Sequence, residues 1–292
     1  MPKYIDIHCH INFKTFKEDG DEVIRRALDA DTWLFNVGSQ YSTSKRAVEI
    51  AYKYPEGVYA VVGLHPIHLE ESFHDEDEIG GEGFVSRAEV FDKEKYLELA
   101  KDPKVAAIGE CGLDYYHTTP ESIEKQKEFF EEQVKLALEV GKPLMLHIRN
   151  TPSTSPRPSP YKGEGELNAY ADVADILKNY PKVKGVSHCF CGSVEDMKRF
   201  VEQGIYVSFS GNITYKPKPE ICDFESVIKE APLDMILTDT DSPYLTPVPY
   251  RGKRNEPVYV REIVKKIAEI KNLPEDDVAK AIFTNAQKLF GI

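Results

Sequence analysis

Nowhere in this 292-residue chain is there an unbroken apolar run long enough to span a bilayer, so a helical membrane protein is excluded. Met1 to His10 contain no apolar segment of signal-peptide length either, and the expected location is cytoplasmic, without membrane attachment. Cysteine is scarce. The five thiols are odd in number and lie in a large chain without an export signal, which argues against a disulfide framework and for reduced thiols. Cys189 and Cys191 have the look of half a metal knuckle, but no second pair stands at a structural-zinc spacing, so they read as small buried residues. Positive charge is in deficit. With 37 Lys and Arg against 49 Asp and Glu, the net charge is −12, which excludes a general polyanion binder held by lysine and arginine. Phosphate recognition would have to be local, and the run Tyr250-Arg251-Gly252-Lys253-Arg254-Asn255 reads equally as a basic patch or as a solvated turn. No glycine-rich phosphate loop of the GxGxxG or GKS/T type follows a strand, and no obligate protein partner is indicated.

What is present is enough apolar material, 41% of residues, to bury one large core, and a single domain over residues 1–292 is the expectation. Short β-branched or aromatic runs alternate with segments of helical period, the pattern of repeated βα units. Strands are predicted at 4–7, 33–37, 58–62, 105–108, 144–147, 183–188, 205–209 and 235–238. Helical stretches fall at 21–31, 43–54, 121–140, 167–180, 194–203 and 258–271, with a last helix within 274–290. Within 121–140, Ile123, Phe130, Val134, Ala137 and Leu138 recur at steps of three and four, so one face can pack on a sheet, and Gly141 reads as the stop. Eight strands, each followed by a helix-sized segment, predict the α/β class and a (β/α)₈ TIM-type barrel. Two stretches break the rhythm. Residues 70–90 are acidic and glycine-rich and read as an extended surface loop, while 151–166 concentrate Pro, Ser, Gly and Lys and read as a mobile insertion near the barrel mouth.

The residues that carry chemistry share one edge of this barrel. His8 and His10 alternate along the first strand and so project to the same side, with Cys9 facing away. Glu110 follows the strand at 105–108 within Gly109-Glu110-Cys111-Gly112, whose glycines are expected to turn the backbone tightly beneath the carboxylate. His147 and His188 end the next two strands, and Asp241 follows the last. First and last strands are neighbours in a closed barrel, which would bring Asp241 beside His8 and His10. A single histidine at a strand end is an ordinary hydrogen-bonded residue; four histidines, a glutamate and an aspartate at one edge point instead to bound metal. His65, in Gly63-Leu64-His65-Pro66, also ends a strand and reads as substrate-facing, whereas His68, His74 and His117 lie in predicted loops and read as structural.

These motifs in this order resemble the TatD-type metal-dependent deoxyribonucleases of the amidohydrolase superfamily. The likeness runs nearly end to end, through Asp6-Ile7-His8-Cys9-His10, Gly63-Leu64-His65-Pro66, Gly109-Glu110-Cys111-Gly112-Leu113-Asp114-Tyr115-Tyr116, His147-Ile148-Arg149, Ser187-His188-Cys189-Phe190, Thr240-Asp241-Ser242-Pro243-Tyr244-Leu245 and Arg251-Gly252-Lys253-Arg254-Asn255-Glu256-Pro257. The resemblance implies two divalent metals, one held by His8, His10, Glu110 and Asp241 and the other by Glu110, His147 and His188, with Glu110 bridging. Zinc, manganese or magnesium would serve. Asp239 departs from the glutamate usual in the family at that position. The implied reaction is cleavage of DNA phosphodiester bonds by a metal-activated hydroxide, with Asp241 and Glu110 as catalytic carboxylates and His65, Arg149, Arg251, Arg254 and Asn255 gripping phosphates. The alternative on the same two-metal site is a carboxylic ester or amide hydrolase, such as a D-aminoacyl-tRNA deacylase or a lactonase.

Overall fold

The computed structural model describes residues 2–70, 72–74, 84–86, 88–116, 119–150, 167–218 and 222–292. Eight parallel strands form one sheet in chain order: β1 (Tyr4–Cys9), β2 (Thr32–Val37), β3 (Val58–Val62), β4 (Val105–Asp114), β5 (Leu144–Arg149), β6 (Gly185–Ser187), β7 (Ile205–Phe209) and β8 (Ile236–Thr238). Helices α1 (Gly20–Asp29), α2 (Tyr41–Ala51), α3 (Lys93–Ala100), α4 (Pro120–Val140), α5 (Ala169–Lys178), α6 (Val194–Glu202), α7 (Phe224–Glu230), α8 (Val260–Lys271) and α9 (Glu275–Phe290) run between and after them. This is the predicted (β/α)₈ TIM-type fold. Among the described residues no helix is long and apolar enough to cross a membrane.

Period-two alternation sorts each strand into two faces. In β1, Ile5, Ile7 and Cys9 are fully buried in the apolar layer, while Asp6 and His8 occupy the alternate positions. The ring closes at β1 and β8 without a full ladder. Thr238 Oγ1 donates to the Ile5 carbonyl (3.1 Å), Asp241 N to the His8 carbonyl (2.9 Å) and His10 N to the Ser242 carbonyl (2.8 Å). Asp6 reinforces the seam, accepting from the backbone N–H (2.8 Å) and hydroxyl (2.6 Å) of Thr240 and from His8 N (3.2 Å).

The longest helix begins and ends on the signals its sequence carries. Thr119 accepts from Ser122 N and the reciprocal bond completes a capping box; Pro120 sits in the first turn, and Gly141 takes the left-handed conformation at φ +69°. Other boundaries differ from expectation. β4 continues well beyond Ile108, so Glu110 lies within a strand rather than on a turn. β6 is shorter than the predicted 183–188, leaving His188 one residue past its end, and Leu233–Met235 form a 3-10 turn before β8. α3 and α7 are too short to show the helical period by which the other helices were recognised. Residues 70–90 are not simply a loop, since Ser72–His74 pairs antiparallel with Phe84–Ser86. The predicted mobile insertion at 151–166 lies outside the described residues, as does His117.

Candidate metal centre

Glu110 owes its place to two glycines. A Cβ at Gly109 would stand 2.4 Å from the Met145 carbonyl oxygen, and one at Gly112 2.1 Å from that of His147, so only glycine lets β4 lie this close to β5. Both glycines have positive φ, +154° and +141°, and the β4–β5 register shifts between Ile108 and Cys111. The irregularity aims Glu110 into the barrel mouth, where it is nearly fully buried.

The Glu110 carboxylate faces imidazoles on two sides. Its Oε2 lies 3.4 Å from His8 Nε2 and 3.8 Å from His10 Nε2; its Oε1 lies 2.8 Å from His188 Nε2, 3.0 Å from His147 Nδ1 and 3.3 Å from His65 Nε2. Asp241 Oδ1 completes the first side, 3.4 Å from His10 Nε2 and 3.8 Å from His8 Nε2. The possible ligand atoms fall into three groups, His8/Glu110/His188, His8/His10/Asp241 and His65/Glu110/His147, and within each they lie no more than 4.8 Å apart. The structure thus brings all six sequence-predicted ligands together.

The donor set fits a cation on hydrogen-bonding grounds. His10 Nδ1 lies 2.9 Å from the Val37 carbonyl, which can only accept, so the proton of the neutral ring sits on Nδ1 and the Nε2 lone pair faces inward. That lone pair meets His8 Nε2 at 3.1 Å and the carboxylates of Asp241 and Glu110, a concentration of acceptors that a divalent cation satisfies. Among the described residues His8 Nδ1 and His188 Nδ1 are buried without a hydrogen-bond partner, and the two rings, stacked 3.8 Å apart, both turn Nε2 toward Glu110. Mixed imidazole and carboxylate donors suit zinc or manganese better than magnesium, which prefers oxygen throughout.

Electrostatics accord with this. Burial opposes ionisation of Glu110, yet the surrounding imidazoles, His65 and His8 foremost, hold it well below the usual carboxylate range. Burial likewise opposes the charge on Asp241, and His10 and His8 outweigh it, so Asp241 also stays low. His8 is pushed down by burial and by His188, while His10 and His188 rise because their carboxylate neighbours overcome the burial that opposes protonation. His147, buried but facing Asp114 and Glu110, is pushed up to about 10.

Asp114 was not among the candidates from sequence. Its Oδ2 accepts from His147 Nε2 at 2.8 Å and its Oδ1 from Tyr116 N at 2.9 Å. The signal was available: Asp114 stands four residues after Glu110, hence on the same face of an extended strand. Asp239, by contrast, lies beneath the site, accepting from the hydroxyls of Ser208 and Ser210 and from Cys189 N.

The five predicted substrate residues divide. His65 joins the cluster but is oriented as a donor: its Nδ1 accepts from Ile67 N (3.1 Å), which leaves the proton on the Nε2 that faces Glu110. Burial and the neighbouring His147 lower it to about 4, so it is neutral. Arg149 ends β5 with its guanidinium 3.7 Å above the Tyr116 ring, and Arg251 lies 4.1 Å above that of Tyr215, bonded to its hydroxyl. Arg254 is committed to Asp19 through two bonds (3.0 and 2.5 Å) and to the Thr15 carbonyl (2.9 Å). Asn255 departs from its expected role: fully buried, it donates to the carbonyls of Thr240 (2.8 Å) and Tyr244 (2.6 Å) and accepts from Glu256 N (2.9 Å), bracing the segment that carries Asp241 rather than facing a substrate.

His68, expected in a loop, is buried in the 3-10 turn Pro66–Leu69. The thiols of Cys189 and Cys191, expected buried, are half-buried, each 3.6 Å from the Asn212 amide nitrogen. Neither belongs to a three-ligand group among the described residues.

Comparison with known proteins places this arrangement among relatives. The family described as "TatD related DNase" matches residues 5–291. A protein of Bacillus subtilis named "Uncharacterized metal-dependent hydrolase YabD" is 35% identical over 98% of each chain. One of Methanocaldococcus jannaschii, "Uncharacterized metal-dependent hydrolase MJ1582", is 30% identical over 99% of this chain and 97% of its own. Among solved structures, the TatD homologue YJJV of Escherichia coli superposes with a TM-score of 0.78 at 28% identity, covering 99% of this chain and 98% of that one.

Proposed function

This chain belongs to the TatD related DNase family of metal-dependent hydrolases, and from that membership we propose that it is a deoxyribonuclease working with two divalent cations. The carrying observation is the Glu110 carboxylate, one oxygen directed at His8 and His10 and the other at His147 and His188, an arrangement suited to bridging two ions. On this reading His8, His10, Glu110 and Asp241 hold one cation, and Glu110, His147 and His188 the other. When bound, the pair supplies Lewis acidity to a phosphoryl oxygen and lowers the pKa of a water to about 7.

The remaining work falls to the chain itself. Asp241 is the more open of the two carboxylates, its side chain 17% exposed against 5% for Glu110, so it orients the attacking water and takes its proton. Its depressed pKa keeps it ionised at neutral pH, as this role requires. His65 offers its Nε2–H to a phosphate oxygen, and burial keeps the ring neutral so that the site gains a donor without a competing positive charge. Arg149 and Arg251 add charge at the rim, each against a tyrosine ring. Guanidinium and aromatic faces together suit the alternating phosphates and bases of a nucleic acid better than a small neutral ester.

The test is metal analysis of purified protein together with digestion of a DNA oligonucleotide, run beside a D-aminoacyl-tRNA and a simple lactone. Metal-dependent cleavage of the oligonucleotide is expected, abolished by Asp241→Asn. Turnover confined to the tRNA ester or the lactone would overturn the nuclease reading and leave the metal-dependent hydrolase in place.

A further inference from the structure

We propose that Asp114 is a positioning residue of the metal centre: by accepting the Nε2–H of His147 it fixes the ring tautomer that leaves Nδ1, the nitrogen facing Glu110, available to a cation. The inference rests on the two-cation reading above and concerns a residue outside its ligand set. A neutral imidazole carries one proton, and the partner of one nitrogen decides what the other can do. Both ring nitrogens face carboxylates, Nδ1 that of Glu110 at 3.0 Å and Nε2 that of Asp114 at 2.8 Å; a cation held by Glu110 and His147 would displace the Nδ1 proton, and Asp114, which accepts and does not donate, keeps the remaining one at Nε2.

The surroundings make Asp114 an aimed group rather than a nearby one. Asp114 is buried, and its backbone is clamped by Gln126, whose side chain accepts from Asp114 N (2.8 Å) and donates to its carbonyl (2.9 Å). Its Oδ1 is occupied by Tyr116 N, which leaves Oδ2 for His147. Gly112, two residues earlier on the same strand, lets β4 approach the backbone of His147, since a Cβ there would stand 2.1 Å from the His147 carbonyl oxygen.

This geometry predicts an unusual order of effects. In an Asp114→Asn variant the side-chain oxygen must stay on Tyr116 N–H, because the amide nitrogen cannot accept from it. The amide nitrogen is then turned toward His147 Nε2, where it donates. The ring must move its proton to Nδ1, and that nitrogen loses the lone pair a cation needs. Asp114→Ala imposes nothing, since water can accept from Nε2. The isosteric substitution is therefore the more harmful, the reverse of what a purely structural role gives. Asp114→Glu keeps an acceptor and should lie nearest to wild type.

The experiment is calorimetric titration of the metal-free proteins with manganese, with thermal melting of each before metal is added. Wild type should take up two ions. Asp114→Asn should lose about 10- to 100-fold in affinity in one of the two binding events, the scale typical of lost support behind a ligand, with Asp114→Ala losing less. Alanine losing more than asparagine, or asparagine binding like wild type, overturns the proposal while leaving the two-cation reading intact. Wild type that binds no manganese overturns both. Should Asp114→Asn fail to melt cooperatively, Asp114→Ala and Asp114→Glu decide: recovery by glutamate supports the proposal, and glutamate as weak as alanine overturns it.

Discussion

Arg251 and Arg254 lie three residues apart in one turn but differ in what already holds them. Arg251 is exposed and engages the neutral Tyr215, and among the described residues no carboxylate pairs with it, which leaves its charge available to a phosphate. Arg251→Ala should raise KM for DNA and reduce the salt dependence of binding by about one phosphate contact, with kcat little changed. Kinetics over a salt series check this, and an unchanged KM would remove Arg251 from the substrate path. Arg254 neutralises Asp19 and stacks 4.3 Å over Phe16, so Arg254→Ala should lower stability, by at most about 1 kcal/mol for so exposed a pair, with little effect on KM. Arg254 holds the Asp19 carboxyl below its usual range. A carboxylate with depressed folded pKa stabilises above its unfolded value and loses that contribution as pH falls through the folded one. The stability difference between wild type and Arg254→Ala should accordingly be present at neutral pH and vanish in acid. At Asp241 the expectation concerns chemistry: Asp241→Asn should leave the far-UV circular dichroism unaltered and reduce kcat by about 10²- to 10⁴-fold, the usual worth of a general base.

Each half of the centre depends on an irregular meeting of strands. Between β4 and β5 that meeting is the glycine-permitted close approach that turns Glu110 inward. Between β1 and β8 it is the seam sewn by Asp6, on whose two sides stand His8 and Asp241. Asp6→Ala would leave the buried N–H groups of Thr240 and His8 without acceptors, at about 1–3 kcal/mol for each buried group left unsatisfied. A fall in unfolding free energy on the order of 3 kcal/mol is expected, accompanied by weaker metal uptake, because the same seam sets the distance from His8 to Asp241. Denaturant titration and metal analysis of the variant measure both. Loss of stability without loss of metal would show that the seam supports the fold but not the site.

At the scale of the whole molecule, a net charge of −12 repels nucleic acid except where cations are concentrated. Association should therefore be weak and specific to the barrel mouth, with bound metal supplying positive charge that the composition lacks. The folded protein alone assembles the ligand cluster, so cations stabilise it by mass action, by about 2.7 kcal/mol when free metal is a hundredfold above its dissociation constant. Exhaustive chelation should lower the melting temperature, and re-addition of manganese or zinc should restore it. A melting temperature indifferent to chelator would mean that the cluster holds no ion.

The eight strands, the barrel, the edge bearing the site and the six candidate ligands were legible in the sequence, because alternation and helical period report directly which way a side chain faces. That His8 in β1 and His10 just beyond it project to the same side, and that Gly141 ends α4, needed no tertiary information. Packing decided the rest. That Glu110 lies in a strand, that Asp114 supports His147, that Arg254 and Asn255 bind their own chain, and that Asp6 closes the ring are all long-range pairings. Local pattern determines the direction of a side chain but not what it meets, since a partner 234 residues away, as Thr240 is from Asp6, enters only when the sheet closes.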